Sequence, residues 1–251
     1  MGRLARGEPR VGVFSVREGD AVTEYDYIVV GGGTAGCVVA ARLTQDAGAR
    51  VLLLEAGGSA RTRAMTVPNA WPGNLGSAAD WGNVTAGQAD AGAVAYPRGR
   101  VLGGSGAINA MAHVRGHWSV YDGWAAGGAA GWGFAEMLPY FQRSERAEGR
   151  DRALRGTAGP VRVAPVTETN RHPVARAFAE ALRGAGWPVT DDLSGAEQEG
   201  VAWIDLAIAG FSRGRDPQRR SDPRVCAAQR LIVRTLPCAT SVVQVVTGVS
   251  C

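Results

Sequence analysis

The sequence has no run of about 18 apolar residues, so no segment of it reads as a membrane-spanning helix. Its first 24 residues carry charges throughout and lack the apolar stretch of a signal peptide, which predicts a poorly ordered extension on a cytoplasmic protein. Cysteine is scarce. Cys37, Cys226, Cys238 and Cys251 include no C-x-x-C pair, and the chain is too long to need a disulfide framework. Cys37 lies in an apolar run and reads as a small buried residue. Only His113, His117 and His172 could supply imidazole, and no acidic or cysteine ligand flanks the first two, so no metal site is expected. Lysine is absent, and all 27 basic residues are arginine. Seven of them fall between Phe211 and Thr235 beside Asp216 and Asp222, a local net charge of +5 in a chain whose total is +4. Without interleaved aromatics or a known module, that cluster predicts no nucleic-acid partner.

Glycine, by contrast, is abundant. The 36 glycines are roughly twice the usual ~7% share. A chain of 251 residues can bury one large core or two small ones. The first periodic pattern is YDYIVVGGGTAGCVVAARLTQDAGARVLLLEAGG. YIVV reads as a buried strand, AGCVVAARLTQ as a helix packed through small residues, and VLLLE as a second buried strand ending on an acid. Strand, glycine turn, helix and strand form a βαβ unit, which implies a parallel sheet with a right-handed crossover.

Within that unit Gly31, Gly33 and Gly36 have G-x-G-x-x-G spacing, and Glu55 lies 19 residues beyond Gly36. This is a dinucleotide-binding pattern in its required context. Gly31 permits the tight turn, Gly33 lets the backbone approach a pyrophosphate, and Gly36 lets helix and strand close together. The pyrophosphate would rest on the helix N-terminus. Glu55 would accept hydrogen bonds from a ribose, and its charge opposes a 2′-phosphate. The pattern alone leaves FAD and NAD open.

Residues 59–96, rich in Pro, Gly, Trp and Asn, read as a long irregular excursion of the kind used for lids and binding loops. The segment RVLGGSGAIN follows. Its glycines would let the backbone run flush against a flat, bulky partner and present N–H groups to it, with the Asn109 amide able to donate and accept. Further on, FAEMLPYFQRSE reads as a helix interrupted by Pro139 and GPVRVAPV as a strand. HPVARAFAEALRGAGW reads as a helix with Pro173 near its start and Val174, Phe178 and Leu182 at i, i+4 and i+8.

These motifs, together with DWGNVTAGQ and PRGRVLGGSGAINAMAHVRGH, make the segment from Tyr25 to Gly210 resemble the N-terminal part of the glucose–methanol–choline (GMC) family of flavin oxidoreductases, choline-dehydrogenase-like in overall pattern. The resemblance implies an α/β fold: a Rossmann-like FAD-binding domain, with a parallel sheet and crossover helices, plus an incomplete substrate-binding portion. It divides the chain into an extension over 1–24, an FAD-binding domain with a flavin lid loop over 25–158, part of the cofactor and substrate domain region over 159–210, and a divergent Arg-rich segment over 211–251. It implies FAD and oxidation of an alcohol at a CH–OH carbon. It sets Gly31, Gly33, Thr34, Ala35 and Gly36 around the pyrophosphate, with Glu55 and the adjoining Ala56 at the adenosine ribose. Arg100, Val101, Gly103, Gly104, Ser105, Asn109, Ala110 and Met111 would then lie along the flavin.

Departures from the family pattern carry expectations of their own. Members that attach flavin covalently do so through a His just before the Asn. Ile108 stands there, so noncovalent FAD is expected. Members usually carry a second Ser after Ser105. Gly106 replaces it, costing a hydroxyl and adding slack. The family's catalytic base is a His near the end of a much longer chain, and none of the three histidines falls on that motif. The expectation is a truncated flavin-binding portion without its catalytic residues, inactive alone, with a frame change near Phe211. A non-catalytic flavin-binding protein that needs a partner chain or oligomer is the alternative. An NAD enzyme has no second site to support it.

Overall fold

The structure, a computed structural model, describes residues 14–18, 21–59, 61–88, 92–208 and 231–235. They fall into two compact units. The first runs to Asn109 and includes residues 231–235, and the second begins at Ala110.

The first unit opens with strands β1 (Phe14–Glu18) and β2 (Ala21–Tyr25), paired antiparallel from Phe14↔Tyr25 to Glu18↔Ala21. This corrects the expectation of a disordered extension through residue 24. The pairing is made by backbone groups, which the charge of the residues does not reveal, so charge alone was a poor guide.

Strand β3 (Tyr27–Val30) follows at once, and Gly31, at φ +95°, turns the chain into helix α1 (Thr34–Leu43). Strand β4 (Val51–Glu55) is buried at all five positions. It pairs parallel with β3, from Tyr27↔Val51 to Val30↔Leu54. Side chains alternate between its two faces, and both are covered, as a parallel sheet requires. Val51 and Leu53 pack with Ala40 of α1 and with Val29, Cys37 and Leu43, whereas Leu52 and Leu54 pack with Tyr25 and Ile28. Cys37 is half-buried rather than fully enclosed, and its thiol donates to the Gly32 carbonyl.

Helix α2 (Arg63–Thr66) and a 3-10 turn at Pro68–Asn74 start the irregular excursion. Bridges Asp80↔Gly99, Val84↔Ala95 and Gln88↔Gly92 then fold it into a narrow antiparallel ribbon. Backbone N–H groups of Gly76, Gly82 and Arg98 donate to the Asp80 carboxylate at the ribbon's base. The Gly76 bond leads those that hold this carboxyl below its usual range. The ribbon returns into short helix α3 (Ser105–Ile108), whose Ala107 and Ile108 form a second small core with Val101 and Met65.

The second unit contains β5 (Ala112–His113), α4 (Trp118–Ala126), α5 (Phe134–Ser144), β6 (Glu145–Ala147), β7 (Val161–Pro165), α6 (Pro173–Gly184) and β8 (Asp205–Leu206). Its strands lie in the order β5-β8-β7-β6. Pro139 sits inside α5, and Pro173 opens α6.

Much of this unit's order comes from buried charge. Glu145 accepts from Arg155 Nε at 2.8 Å, an Arg115 terminal nitrogen at 2.6 Å, the Gly156 N–H at 3.0 Å and, with its other oxygen, His113 Nε2 at 2.9 Å. Arg155 reaches onward to Asp192 at 2.5 Å and Asp205 at 3.2 Å, and Arg150 also pairs with Asp205. Burial pushes the Glu145 carboxyl up, but the bonds from His113, Arg155 and Gly156 and the charge of Arg115 outweigh it and hold the group well below the ordinary carboxylate range. Burial likewise lowers Arg155, and its bonds to Glu145 and Asp192 more than reverse the effect.

Helix α6 differs from its sequence pattern in one respect. It has no buried residue, and Val174 and Phe178 are 70% and 65% exposed. The apolar stripe meets no covering surface among the described residues. The segment LIVRT forms β9 (Leu231–Thr235), which pairs parallel with the far edge of β4 from Val51↔Leu231 to Glu55↔Thr235. The sheet order is therefore β3-β4-β9. Most of the Arg-rich segment, residues 211–230 and 236–251, lies outside the described residues.

Candidate functional site

The site is built where β3 and β4 end side by side. Gly33 caps α1 in an extended conformation, no side chain caps the helix, and its first turn holds no acidic residue. The N–H groups of Thr34, Ala35 and Gly36 thus form a positive helix end open to an anion. A Cβ at Gly33 would meet no described atom within 4 Å, so that side of the turn before the helix is open among the described residues. At Gly36 a Cβ would stand 1.9 Å from the Gly31 carbonyl oxygen. The helix rests that closely on the turn, which is the close packing the third glycine of the pattern supplies.

Glu55 ends β4 with its carboxylate buried. One oxygen accepts the Gly32 N–H at 2.7 Å and the other the Gly57 N–H at 2.9 Å. Ala56, beside it, is half-buried.

The second glycine segment lies directly against the first. The Gly103 N–H donates to the Gly32 carbonyl at 2.7 Å, and the Leu102 N–H to the Gly58 carbonyl at 2.9 Å. Parallel bridges join Gly33↔Gly103 and Gly58↔Val101. The Thr34 hydroxyl donates to the Gly103 carbonyl at 3.3 Å. Gly104, at φ +57°, has its missing Cβ aimed 2.8 Å from the Gly33 Cα, a contact and a conformation that together exclude other residues. Arg100 stacks its guanidinium 5.1 Å from the Trp81 ring, and Val101 is buried. Ser105 begins α3 and accepts the Gly99 N–H through its hydroxyl at 3.1 Å, and Asn109 closes the helix.

The structure thus brings Gly31, Gly33, Thr34, Ala35, Gly36, Glu55, Val101, Gly103, Gly104 and Ser105 into one cluster within the first unit. Ala110 and Met111 belong to the second unit, where Met111 adopts φ +60° and its carbonyl accepts the Ala207 N–H at 2.8 Å. Left-handed backbone at a non-glycine residue carries a cost that its surroundings must hold in place. Gly32, Gly57 and Gly58 also serve the cluster. The G-G that follows Glu55 in EAGG was the signal for the last two.

One expectation needs correcting. At Gly106 a Cβ would fall 2.5 Å from the Thr34 hydroxyl oxygen. Gly106 therefore provides no slack, because Thr34 already occupies the volume a serine would need. Gly106→Ser is expected to lower stability by about 1–2 kcal/mol, as overpacking does. Adding Thr34→Ala should recover part of that loss. Thermal melts of the four proteins in the cycle check this, and simple additivity of the two substitutions would show the sites are independent.

The three histidines have partners of their own. His113 bonds Glu145, while His117 and His172 each accept an N–H at the start of a helix, α4 and α6 respectively. Among the described residues no three His, Cys, Asp or Glu side chains converge as a metal site would, and no helix is long and apolar enough to cross a membrane.

Comparisons with known proteins agree with this geometry. The family model described as GMC oxidoreductase matches residues 25–224. The chain is 45% identical over 195 residues to mitochondrial choline dehydrogenase of Homo sapiens, an alignment covering 74% of this chain and 32% of that protein. It is 45% identical over 190 residues to the oxygen-dependent choline dehydrogenase of Photobacterium profundum, covering 74% and 33%. Among solved structures it resembles pyridoxine 4-oxidase from Mesorbium loti, with a TM-score of 0.73 and 34% identity over 83% of this chain and 42% of that one. An FAD-dependent oxidoreductase from Chaetomium thermophilum gives a TM-score of 0.72 and 32% identity over 84% and 38%. The chain spans about a third of the length of the curated relatives it matches. With a parallel Rossmann-like sheet, two interlocked glycine segments and a family match across most of its length, this chain belongs to the GMC oxidoreductase family and corresponds to its N-terminal domain.

Proposed function

We propose that this chain is the FAD-binding part of a choline-dehydrogenase-like enzyme that oxidises a small alcohol at its CH–OH carbon. The observation that carries the reading is the open face at Gly33, before an uncapped helix end and flanked by the second glycine segment. The donor set fits a dinucleotide: N–H groups of Thr34, Ala35 and Gly36 would hold the pyrophosphate, and Glu55 with Ala56 would lie at the ribose. Arg100, Val101, Gly103, Gly104, Ser105, Asn109, Ala110 and Met111 would follow the flavin. When bound, the flavin accepts the hydride. The role of this chain is to bind and orient that group and to keep water from one side of it.

Ile108 is buried and carries no nucleophile, which supports noncovalent attachment. None of the three histidines falls on the family's catalytic motif, which supports a catalytic base outside this chain and inactivity of the chain alone. The exposed stripe on α6 favours a second reading in which a partner chain completes the protein. The test is the visible spectrum of purified protein after incubation with FAD and gel filtration. Retained, acid-releasable flavin at near one per chain is expected. A colourless protein would overturn the reading, and flavin released only with the polypeptide would overturn noncovalent attachment. Flavin retention by the monomer would remove the need for a partner.

A further inference from the structure

Glu55 is placed to do something a ribose ligand does not require. It ends a strand that is buried throughout, and it is itself 6% exposed. Its two oxygens reach different loops: Oε2 accepts from Gly32, on the turn after β3, and Oε1 from Gly57, on the turn after β4. Both contacts are short, as charge-assisted bonds are. Gly32 in turn offers its carbonyl to the Gly103 N–H, so its position is passed to the second glycine segment. A side chain at Gly32 would come within 3.0 Å of Glu55 Oε2 and 2.9 Å of Leu102 Cδ1, so the carboxylate and Leu102 take up the space beside the turn.

We infer that Glu55 is a positioning residue, a strut that sets the phosphate-binding turn before a cofactor arrives. The inference rests on the dinucleotide-binding reading for its ligand, but not for its geometry. The carboxylate presents two acceptor oxygens to two backbone donors. A glutamine offers one oxygen, and its amide nitrogen would face the second N–H with another donor. Glu55→Gln therefore frees one turn even though shape and length are kept.

A contact made only with ribose and a strut give opposite results with ADP and 2′,3′-dideoxy-ADP, which lacks the ribose hydroxyls. Titrating the full chain and its Glu55→Gln variant with both ligands, we expect the variant to bind the dideoxy compound about tenfold more weakly than the original chain does, the weight of one charge-assisted hydrogen bond. Unchanged affinity for the dideoxy compound would overturn the strut. Amide hydrogen exchange of the ligand-free original chain, resolved by NMR, supplies a measurement that needs neither the variant nor a ligand. The Gly32 and Gly57 amides should exchange markedly more slowly than those of Thr34 and Ala35 at the open helix end. Equal rates would overturn the strut even if binding were lost in the variant. If the original chain binds neither nucleotide, the cofactor reading fails, and the exchange rates still decide the strut.

Discussion

Gly36→Val is expected to abolish flavin retention and to cost about 3 kcal/mol or more of stability, the upper end of what overpacking does. The new Cβ would start 1.9 Å from the Gly31 carbonyl oxygen, and the Gly31 carbonyl carbon is only 3.1 Å away. Neither atom is the movable end of a side chain. Helix α1 must lift from β3, and that opens the packing of Cys37 and Ala40 against Val29, Val51 and Leu53. Urea unfolding should show a lower midpoint with a similar slope if the native fold survives. Gly33→Ala is the matched contrast. Gly33 has φ −72° and open space before it, so the substitution should leave the midpoint nearly unchanged while reducing flavin binding. Equal loss of stability in both variants would show that the glycine turn is fragile throughout rather than shaped for a ligand.

Glu145→Gln should cost the second unit about 3–5 kcal/mol, the usual effect of removing one partner from a buried ion pair. Arg115 and Arg155 both lean on this carboxylate, and their side chains are 4% and 0% exposed. Without its charge, two guanidinium groups remain in a poorly solvated interior with too few acceptors. The pH dependence has a defined sign. A carboxyl held below its ordinary pKa stabilises the fold fully at pH values above the unfolded-state value of about 4.3, and that contribution fades as pH falls towards the depressed folded-state value. Acid unfolding followed by circular dichroism should therefore be less steep on its acid limb in the variant than in the original chain. An unchanged acid limb would mean that other carboxylates govern the transition.

The βαβ unit was legible in the sequence because strand and helix periods, the glycine spacing and the terminal acid all point one way there. Less legible was what the glycines were for. In RVLGGSGAIN the sequence announces missing side chains but not what takes their place. Only the fold reveals that Gly104 faces Gly33 and that Gly106 faces Thr34, residues about seventy positions earlier. The paired strands Phe14–Glu18 and Ala21–Tyr25 were hidden by charge, since short charged strands resemble a solvated tail when their partner is unknown. The ion network was hidden for a related reason. Arg115, Glu145, Arg155, Asp192 and Asp205 stand far apart in sequence and have no spacing rule, so nothing local separates them from surface charges.

Strand β9 adds a matter of timing. It lies beside β4, yet residues 56–230 separate the two in the chain, and the whole second unit is encoded in between. Closing so long a loop carries a larger entropy than the local β3–α1–β4 crossover, although that entropy grows only slowly with length. On a ribosome, β3 and β4 emerge early, and one edge of β4 waits unpaired while the ribbon and the second unit are made. Contacts of such high sequence separation slow folding and leave strand edges open to wrong partners. The sheet beneath the glycine cradle is therefore one of the first parts of this protein to begin forming and one of the last to be finished.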